Sequence, residues 1–318
     1  MNKQPFVSIC VSSYNRSDII DECLRSLINL DYPKDCYEII IIDNNSSDNT
    51  CEIVKKTINK DKFKYKNFKL IESKKNLGSA GTLIEVLNYL DLEWEYILKM
   101  DEDVILDSNC LKELIKMSSN VAVKGIIGGK ILYHKEKNLI QAIGSRLHPF
   151  YAIAKGIGIN QENNSNNYNL PCSIDAPNGC MILIPKYIYE NVTWFYKEYF
   201  IYYDDHEIMY QVKKKGLLNY YCPTAIAYHD TFTGNKAKYS NHRWLYYSVR
   251  NSLLFMQRNC KTNYTDFILY FLGHNFKFLL GIMLVFYFSK FKSLYQNLYT
   301  YFLGYYDGIL GKGGYKKL

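Results

Sequence analysis

The chain has no long run of apolar residues and no cysteine spacing typical of a metal or disulfide framework. Its longest clean apolar run, residues 278–288, has 11 residues, which is too short to span a bilayer. The nine cysteines are odd in number and none forms a Cys-x-x-Cys pair, which favours buried thiols in a reducing compartment. A strand-like segment begins at Phe6, so we expect no signal peptide and a cytoplasmic protein.

Charge and composition narrow the class of protein further. Hydrophobic residues make up 48% of the chain and aromatic residues 16%, which is enough for a sizeable core and argues against disorder. The net charge is +8, but residues 256–318 carry eight Lys or Arg against two Asp and account for +6 of it. The rest of the chain is close to neutral, so we expect no nucleic-acid groove there.

Strand and helix patterns alternate over the first 118 residues. A continuous β-branched run at residues 38–43 is typical of a strand buried on both faces. The alternation predicts an α/β fold with a mostly parallel sheet covered by helices on both faces. Polar clusters at residues 13–16, 43–48 and 101–103 each follow a predicted strand, and such sheets bind ligands at the carboxyl ends of their strands.

The second half of the chain is less regular. The patterns predict strands at residues 122–133 and 179–185, a polar loop at 160–169 and a helix at about 206–215. We therefore predict one α/β domain over residues 1–255, with halves at about 1–120 and 121–255. A helical tail would follow over residues 256–318.

Three adjacent carboxylates, Asp101-Glu102-Asp103, close one of the predicted strands. Adjacent acids repel one another at the end of a packed strand. A bound divalent cation would remove that cost, because hard oxygen ligands suit Mg²⁺ or Mn²⁺. The alternative is a solvated acidic turn that caps the next helix.

Four other features each have a functional and a structural interpretation. Asp43 ends a buried strand and can accept hydrogen bonds from a nucleobase, or it can cap a loop. The small residues at 76–81 open a helix whose N–H groups attract phosphate, or they form a simple turn. One carboxylate of Asp204-Asp205 can act as a general base while the other caps a helix. His229 can complete a metal site with two Asp residues, or it is an ordinary core or surface histidine.

The order of these features resembles a known family. The segments are residues 7–16 (VSICVSSYNR), 40–50 (IIIDNNSSDNT), 76–81 (NLGSAG), then Asp101-Glu102-Asp103, Asp204-Asp205 and His229. Over about residues 5–255 the chain resembles the family 2 inverting glycosyltransferases of the GT-A fold. Within that family it looks most like the bacterial rhamnosyl- and galactofuranosyltransferases of surface-polysaccharide synthesis.

The resemblance implies roles on the side of the nucleotide-sugar donor. Asp43 would contact the pyrimidine base, and Asn76 and Gly78 would flank the nucleotide or its diphosphate. The residues that would line the nucleotide pocket at the end of the first strand are Ser13, Tyr14 and Arg16.

The resemblance also implies a metal site for Mg²⁺ or Mn²⁺. Asp101 and Asp103 match the Asp-x-Asp motif of the family, with Asp103 as the more direct ligand and Asp101 contacting ribose or sharing the metal. Glu102, between them on the donor side, would point away from the metal. His229 matches the distal metal-binding histidine.

The implied reaction is a single displacement with inversion at the sugar. Asp205 would take the proton from an acceptor hydroxyl, whose oxygen attacks the anomeric carbon opposite the diphosphate. Asp204 would bind the acceptor or the donor sugar. The implied donor is a UDP- or dTDP-sugar carrying rhamnose, galactofuranose or another hexose. The implied acceptor is a lipid-linked or growing glycan of capsule or O-antigen type.

Two other functions compete with this interpretation. A sugar-1-phosphate nucleotidyltransferase also combines an α/β sheet with acidic metal ligands, but it usually has a glycine-rich basic loop after the first strand, and residues 13–16 contain no glycine. The second competing function is that of a membrane-bound glycan-binding protein with an inactive transferase domain. The presence of both acidic clusters argues against it.

The tail has its own two interpretations. Apolar stretches at residues 267–272 and 278–288 can form a helix in the membrane interface, with Lys290 and Lys292 reaching anionic headgroups. Alternatively they form a helical pair packed on the domain. The excess of positive charge favours an enzyme bound peripherally to the inner face of the cell membrane. The sequence predicts no oligomeric state.

Overall fold

The computed structural model describes residues 4–60, 67–120, 124–148, 153–229, 242–259 and 291–318. The helices are α1 Ile20–Ile28, α2 Thr50–Lys60, α3 Gly78–Glu85, α4 Cys110–Ser118, α5 Lys186–Asn191, α6 Asp204–Lys214, α7 His242–Asn259 and α8 Phe291–Ile309. The strands are β1 Val7–Ser13, β2 Tyr37–Asp43, β3 Phe68–Glu72, β4 Tyr96–Asp101, β5 Val104–Leu106, β6 Ile127–Tyr133, β7 Leu139–Ala142, β8 Gly144–His148, β9 Ile153–Ile157, β10 Gln161–Glu162, β11 Cys172–Ile174, β12 Ala176–Pro177, β13 Met181–Pro185 and β14 Asn219–His229.

The first four strands form the parallel part of the main sheet, in the order β3-β2-β1-β4. Every residue of β2 is buried, and its isoleucines alternate between two apolar clusters. Ile39 and Ile41 pack with α1 and α4 on one face, whereas Ile40 and Ile42 pack with α3 on the other. The prediction of a parallel sheet with helices on both faces is confirmed for this half.

The second half adds strands that run both ways, so the complete sheet is mixed. β13 pairs antiparallel with β4 and β6, while β14 runs parallel to β6 and antiparallel to β5 and β11. A separate small sheet has the order β12-β8-β9. The pairing of β14 with β5 sets His229 opposite Val104, and this contact assembles part of the site described below.

Several predicted boundaries differ from the structure. β6 begins at Ile127 rather than at residue 122, and β13 begins at Met181 rather than at residue 179. The polar segment 160–169 is not an irregular loop throughout, because it contains β10 and a 3₁₀ turn at Asn166–Tyr168. Buried Lys130 fixes it by donating to the Asn163 carbonyl and to Asn169 Oδ1.

Helix α6 also begins earlier than predicted. Its first residue is Asp204, so Asp204 and Asp205 lie in its first turn instead of preceding it. The residue before the helix is Tyr203, which has a left-handed backbone (φ 68°) and makes no side-chain cap. Interpreting the two acids as caps ahead of the helix is therefore wrong.

The last two described helices, α7 and α8, pack against each other through a core that is rich in aromatic residues. The proposed domain boundary at residue 255 remains a prediction. The tail stretches at 267–272 and 278–288, with Lys290, lie outside the described residues. Within the ranges given above, no helix combines the length and apolar character needed to cross a bilayer.

Candidate active site

The polar clusters at the ends of the parallel strands meet at one edge of the sheet. Ser13, the last residue of β1, lies opposite Asp43 on β2, and Ser12 lies opposite Asp101 on β4. Parallel pairing forces this, because the carboxyl ends of adjacent parallel strands lie at the same edge. The predicted clustering of these three strand ends is therefore confirmed.

Asp101, Asp103 and His229 form a group of potential metal ligands at this edge. One ligand atom from each side chain lies within 4.8 Å of the other two, and all three residues are half-buried. Asp101 is the last residue of β4 and Asp103 lies in the turn before β5, while β14 brings in His229 from the opposite direction. Two carboxylates and an imidazole provide the oxygen and nitrogen ligands that Mn²⁺ and Mg²⁺ accept.

The orientation of His229 supports this interpretation. Its Nδ1 lies 2.8 Å from Gln141 Oε1, and its Nε2 lies 3.1 Å from Asp103 Oδ1. Since an amide oxygen only accepts, Nδ1 is the donor to Gln141, and Nε2 is directed at Asp103 with a single proton between the two atoms. A divalent cation could take the place of that proton, and the bond to Gln141 is the kind of outer contact that orients a metal-binding histidine.

Cations of the protein itself already balance part of the acidic charge. Arg16 Nη1 lies 2.9 Å from Asp103 Oδ2. Burial would raise the pKa of Asp103, but the hydrogen bond from His229 and the charges of His229 and Arg16 hold it below its usual value. For Glu102, burial and the charges of Asp103 and Asp101 raise the pKa to about 8.

Lys99 lies between the group of potential metal ligands and the second acidic pair, Asp204 and Asp205. Its buried ammonium lies 2.6 Å from Asp101 Oδ1 and 2.6 Å from the Gly179 carbonyl oxygen. Burial alone would lower the pKa of Lys99, but the nearby charges of Asp101, Asp204 and Asp205 raise it, so the side chain stays charged. The sequence analysis missed Lys99. Its only signal was a lysine inside an otherwise apolar strand.

The two acids of helix α6 have different surroundings. Asp204 is buried, its Oδ2 has no hydrogen-bond partner among the described residues, and burial together with the charge of Asp205 raises its pKa to about 7. Asp205 is partly exposed, and its Oδ1 accepts the backbone N–H of His206 at 2.8 Å. Asp205 also packs directly against Gly179, where a Cβ atom would lie 2.7 Å from its Cγ. The pair thus offers one solvent-facing carboxylate, Asp205, beside one buried carboxyl that is harder to ionise, Asp204.

The predicted nucleotide residues lie along the same edge. Asp43 is buried, and both of its carboxylate oxygens accept hydrogen bonds from Ser46, as expected for a loop cap. Ser13 Oγ is buried without a partner among the described residues. Tyr14 is half-buried, and the guanidinium of Arg243 lies 5.9 Å from its ring centroid. Arg243 was missed because helix α7 brings it from a distant part of the sequence.

The start of helix α3 is already largely satisfied by the protein. Gly78 N donates to Asn76 Oδ1, Leu77 N donates to Asn44 Oδ1, and Ala80 N donates to the Phe200 carbonyl. These bonds agree with the turn interpretation of residues 76–81. Gly78 has φ 69° and lies against Phe200, so it is a point of close contact between the two halves of the domain.

Comparison with known proteins adds a family match and two sequence relatives. Residues 8–165 match the family model described as Glycosyl transferase family 2. A poly(ribitol-phosphate) beta-glucosyltransferase of Bacillus spizizenii is 38% identical over 109 residues, 33% of this chain and 16% of that protein. A poly-beta-1,6-N-acetyl-D-glucosamine synthase of Staphylococcus epidermidis is 34% identical over 103 residues, 32% of this chain and 23% of that protein. The matched part of the chain thus spans less than a quarter of either relative.

Solved structures match more of the chain. A mannosyltransferase from Pyrobaculum calidifontis, in complex with GDP-Man and Mn²⁺, has a TM-score of 0.60 at 13% identity and covers 98% of this chain and 89% of its own. GalNAc-T7 with UDP, GalNAc and Mn²⁺ has a TM-score of 0.59 at 12% identity and covers 86% of this chain and 55% of its own. This likeness shows the fold, an α/β GT-A-like architecture with a mixed sheet.

Proposed function

We propose that this chain, whose residues 8–165 belong to glycosyltransferase family 2, transfers a sugar from a nucleotide-sugar donor to an acceptor hydroxyl, with inversion at the anomeric carbon. One observation carries the proposal. The potential metal ligands Asp101, Asp103 and His229 lie at the ligand-binding edge of the sheet, close to Asp205. Lys99 bonds to both Asp101 and the Gly179 carbonyl, and Gly179 packs against Asp205.

The three potential metal ligands are of the kinds that bind a divalent cation. Asp101, Asp103 and His229 would hold Mn²⁺ or Mg²⁺, and the ion would neutralise negative charge on the donor diphosphate. Both structural neighbours described above contain Mn²⁺ together with a nucleotide or nucleotide sugar. Arg16 and Arg243 would add positive charge on the same side of the site, one beside Asp103 and the other beside Tyr14.

Asp205 is the proposed general base. It is the more exposed carboxylate of the pair, so an acceptor hydroxyl can reach it and lose its proton there as the oxygen bonds to the anomeric carbon. The bond from that carbon to the diphosphate breaks on the opposite face, which inverts the centre. Asp204, with its pKa near 7, would hold a sugar hydroxyl, and Lys99 would keep the pair in place by its charge.

On the donor side, Asp43 would contact the base, while Ser13, Tyr14, Asn76 and Gly78 would line the nucleotide and diphosphate. The buried Ser13 hydroxyl without a described partner is consistent with a ligand contact. UDP and dTDP remain the proposed nucleotides, and the GDP-Man of one neighbour adds GDP to the set worth testing. Rhamnose and galactofuranose remain candidates, although the sequence relatives named above are glucosyl and N-acetylglucosaminyl enzymes.

The proposed acceptor is a glycan or glycolipid at an anionic membrane surface, as in capsule or O-antigen synthesis. Helix α8 supports the membrane location, because exposed aromatic side chains recur along it every three or four residues. We call them the aromatic stripe: Tyr295, Tyr299, Phe302 and Tyr306. Tyrosine and phenylalanine favour the membrane–water interface. The exposed Lys312 and Lys317 beyond the helix would face anionic headgroups.

A donor screen tests the function. Purified protein is incubated with Mn²⁺ and a panel of UDP-, dTDP- and GDP-sugars, and both thermal stabilisation and release of nucleoside diphosphate are measured. At least one donor should stabilise the protein only when metal is present. The Asp103→Asn variant should lose that stabilisation, because it lacks a carboxylate of the cluster. Stabilisation by every donor without metal, or none in the presence of metal, would contradict the proposal.

A further inference from the structure

The turn that leads into helix α6 has an unusual backbone. Phe200, Tyr202 and Tyr203 have φ values of 63°, 65° and 68°, all in the left-handed region. Residues with a Cβ atom rarely adopt this conformation, because the side chain approaches the backbone carbonyl. Three such residues within four positions require contacts from elsewhere in the protein to hold them. Asp204 and Asp205 follow immediately, so this turn sets where both carboxylates lie.

Asn251 of helix α7 supplies much of that support. Its Nδ2 lies 2.9 Å from the Tyr199 carbonyl oxygen, 2.8 Å from that of Ile201 and 2.8 Å from that of Tyr202. The Asn251 side chain is completely buried. One amide group thus gathers three carbonyls that the left-handed turn directs to a common point.

Arg250, the preceding residue, holds both Asn251 and the turn. Its Nε donates to Asn251 Oδ1 at 2.9 Å, which fixes the amide with its NH₂ group toward the turn. Its Nη2 lies 2.9 Å from the carbonyl oxygens of both Glu198 and Tyr199. The guanidinium is buried and lies 4.7 Å from the ring centroid of Tyr247. Burying a charge that is bound mainly to backbone carbonyls costs desolvation free energy. The structural effect of this buried guanidinium is to fix one turn.

The end of the chain packs on the same turn. Gly314 N donates to the Glu198 carbonyl at 2.7 Å, and the Gly314 carbonyl accepts from Arg250 Nη1 at 2.5 Å. The Tyr315 ring lies 5.2 Å from the ring of Phe200, centroid to centroid, and meets it edge-on. The turn is therefore held from helix α7 on one side and from residues 314–315 on another.

We propose that Arg250 and Asn251, with Tyr315, are positioning residues that hold the turn at 199–203 and thereby fix Asp205 for catalysis. The inference rests on the proposed function, because it assigns Asp205 the role of base. Arg250 and Asn251 act through the backbone of the turn rather than by touching substrate. Their loss should slow the transfer step much more than it weakens donor binding. The ends of β1, β2 and β4 form most of the donor side, and the turn touches that side where Phe200 lies against Gly78.

The test compares Asn251→Asp with Gln257→Ala. Asn251→Asp keeps the size of the side chain but replaces the donor NH₂ with an oxygen facing three carbonyls. Gln257→Ala removes hydrogen bonds from the same helix on the side toward α8, where Nε2 donates to the carbonyl oxygens of Gly308 at 3.1 Å and Ile309 at 3.2 Å. We expect Asn251→Asp to lower kcat about 30-fold or more with the donor KM changed less than about threefold. Gln257→Ala should lower the melting temperature and leave kcat within about twofold of the wild type.

Hydrogen–deuterium exchange provides a readout that does not depend on activity. In Asn251→Asp the amides of residues 199–207 should exchange at least tenfold faster, while those of β1 and β2 stay unchanged. If this exchange rises but neither the wild type nor any variant transfers a sugar, then Arg250 and Asn251 do hold the turn and the proposed function is wrong. If exchange at the turn is unchanged, or kcat falls only in proportion to the folded fraction, the positioning role is wrong.

Tyr315→Ala is a second variant that tests the proposal even if Asn251→Asp does not fold. Tyr315 is exposed, so its loss should leave the fold intact, while the turn loses its contact at Phe200. We expect a three- to tenfold fall in kcat, faster exchange at residues 199–203 and an unchanged donor KM. Wild-type kcat and exchange in Tyr315→Ala would overturn the part of the proposal that concerns the end of the chain.

Discussion

Replacing Gly179 with alanine should displace the proposed base with little other change. Gly179 precedes β13, and its φ lies outside the left-handed region, so alanine is compatible with the backbone there. The added Cβ would lie 2.7 Å from Asp205 Cγ and 2.9 Å from Asp205 Cβ, and closer still to Oδ2. Ordinary contact begins near 3.4 Å, so the carboxylate must move by about 1 Å.

A shift of this size has a known consequence for catalysis. Misplacing a reacting group by about 1 Å can cost about 100-fold in rate, so we expect kcat of Gly179→Ala to fall by roughly that factor, or about 2.7 kcal/mol in the activation barrier. The donor should bind as before, because the three atoms nearest to the added Cβ all belong to Asp205 and none to the strand ends proposed to bind the nucleotide. The assay is steady-state release of nucleoside diphosphate, combined with calorimetric titration of the donor in the presence of Mn²⁺.

Gly216→Ala is the matched control. Gly216 has φ 78° and no atom within 4 Å of where its Cβ would be, so alanine there introduces backbone strain without any contact. It should cost about 1 kcal/mol of stability and leave kcat unchanged. If Gly179→Ala retains more than about a third of the wild-type kcat, or if Gly216→Ala loses as much as Gly179→Ala, then the placement of Asp205 against Gly179 does not control the reaction.

Three other predictions concern charge and surface. Lys99→Met should bind Mn²⁺ about tenfold more tightly by calorimetry, because Lys99 competes with the ion for the acidic cluster; weaker binding would contradict this. For Asp307, burial would raise the pKa, but the hydrogen bonds from Tyr246 and Lys316 lower it; its stabilising effect should therefore be present above pH 4 and fade as the pH falls below that value. Urea unfolding should then show Asp307→Asn less stable than the wild type at pH 7, with the difference shrinking as the pH falls below 4; a difference that stays the same at every pH would refute this. Phe302→Ser, in the aromatic stripe, should bind phosphatidylglycerol vesicles severalfold more weakly in sedimentation assays while transfer to a soluble acceptor is unchanged, and undiminished binding would remove the membrane role of α8.

Local patterns predicted the half of the fold in which local signals are strong. The β-branched run of β2 is buried on both faces, and the helical spacing before and after it produced helices that cover both faces of the sheet. Parallel pairing then brings strand ends together without any information on individual contacts. For this reason the grouping of Asp101 and Asp103 with Asp43 and Ser13 at one edge was predictable.

The rest depends on contacts between distant residues, which no short pattern encodes. The antiparallel pairing of β5 with β14 brings His229 to Asp103 from more than a hundred residues away, and no local pattern predicted that pairing. The early start of α6 follows from a left-handed turn that Asn251 stabilises from helix α7. Lys99 is an ordinary lysine in the sequence, and its importance becomes visible only when the Gly179 carbonyl is beside it.

The most direct test of the central claim is to compare Asp205→Asn with the wild type in turnover and in donor binding. Asparagine keeps the size of the side chain and removes the basic oxygen. With the donor found in the screen and Mn²⁺ present, we expect kcat to fall about 1,000-fold while the donor dissociation constant changes less than about threefold. Transfer by Asp205→Asn at the wild-type rate, or loss of donor binding equal to the loss of turnover, would contradict the assignment of Asp205 as the base.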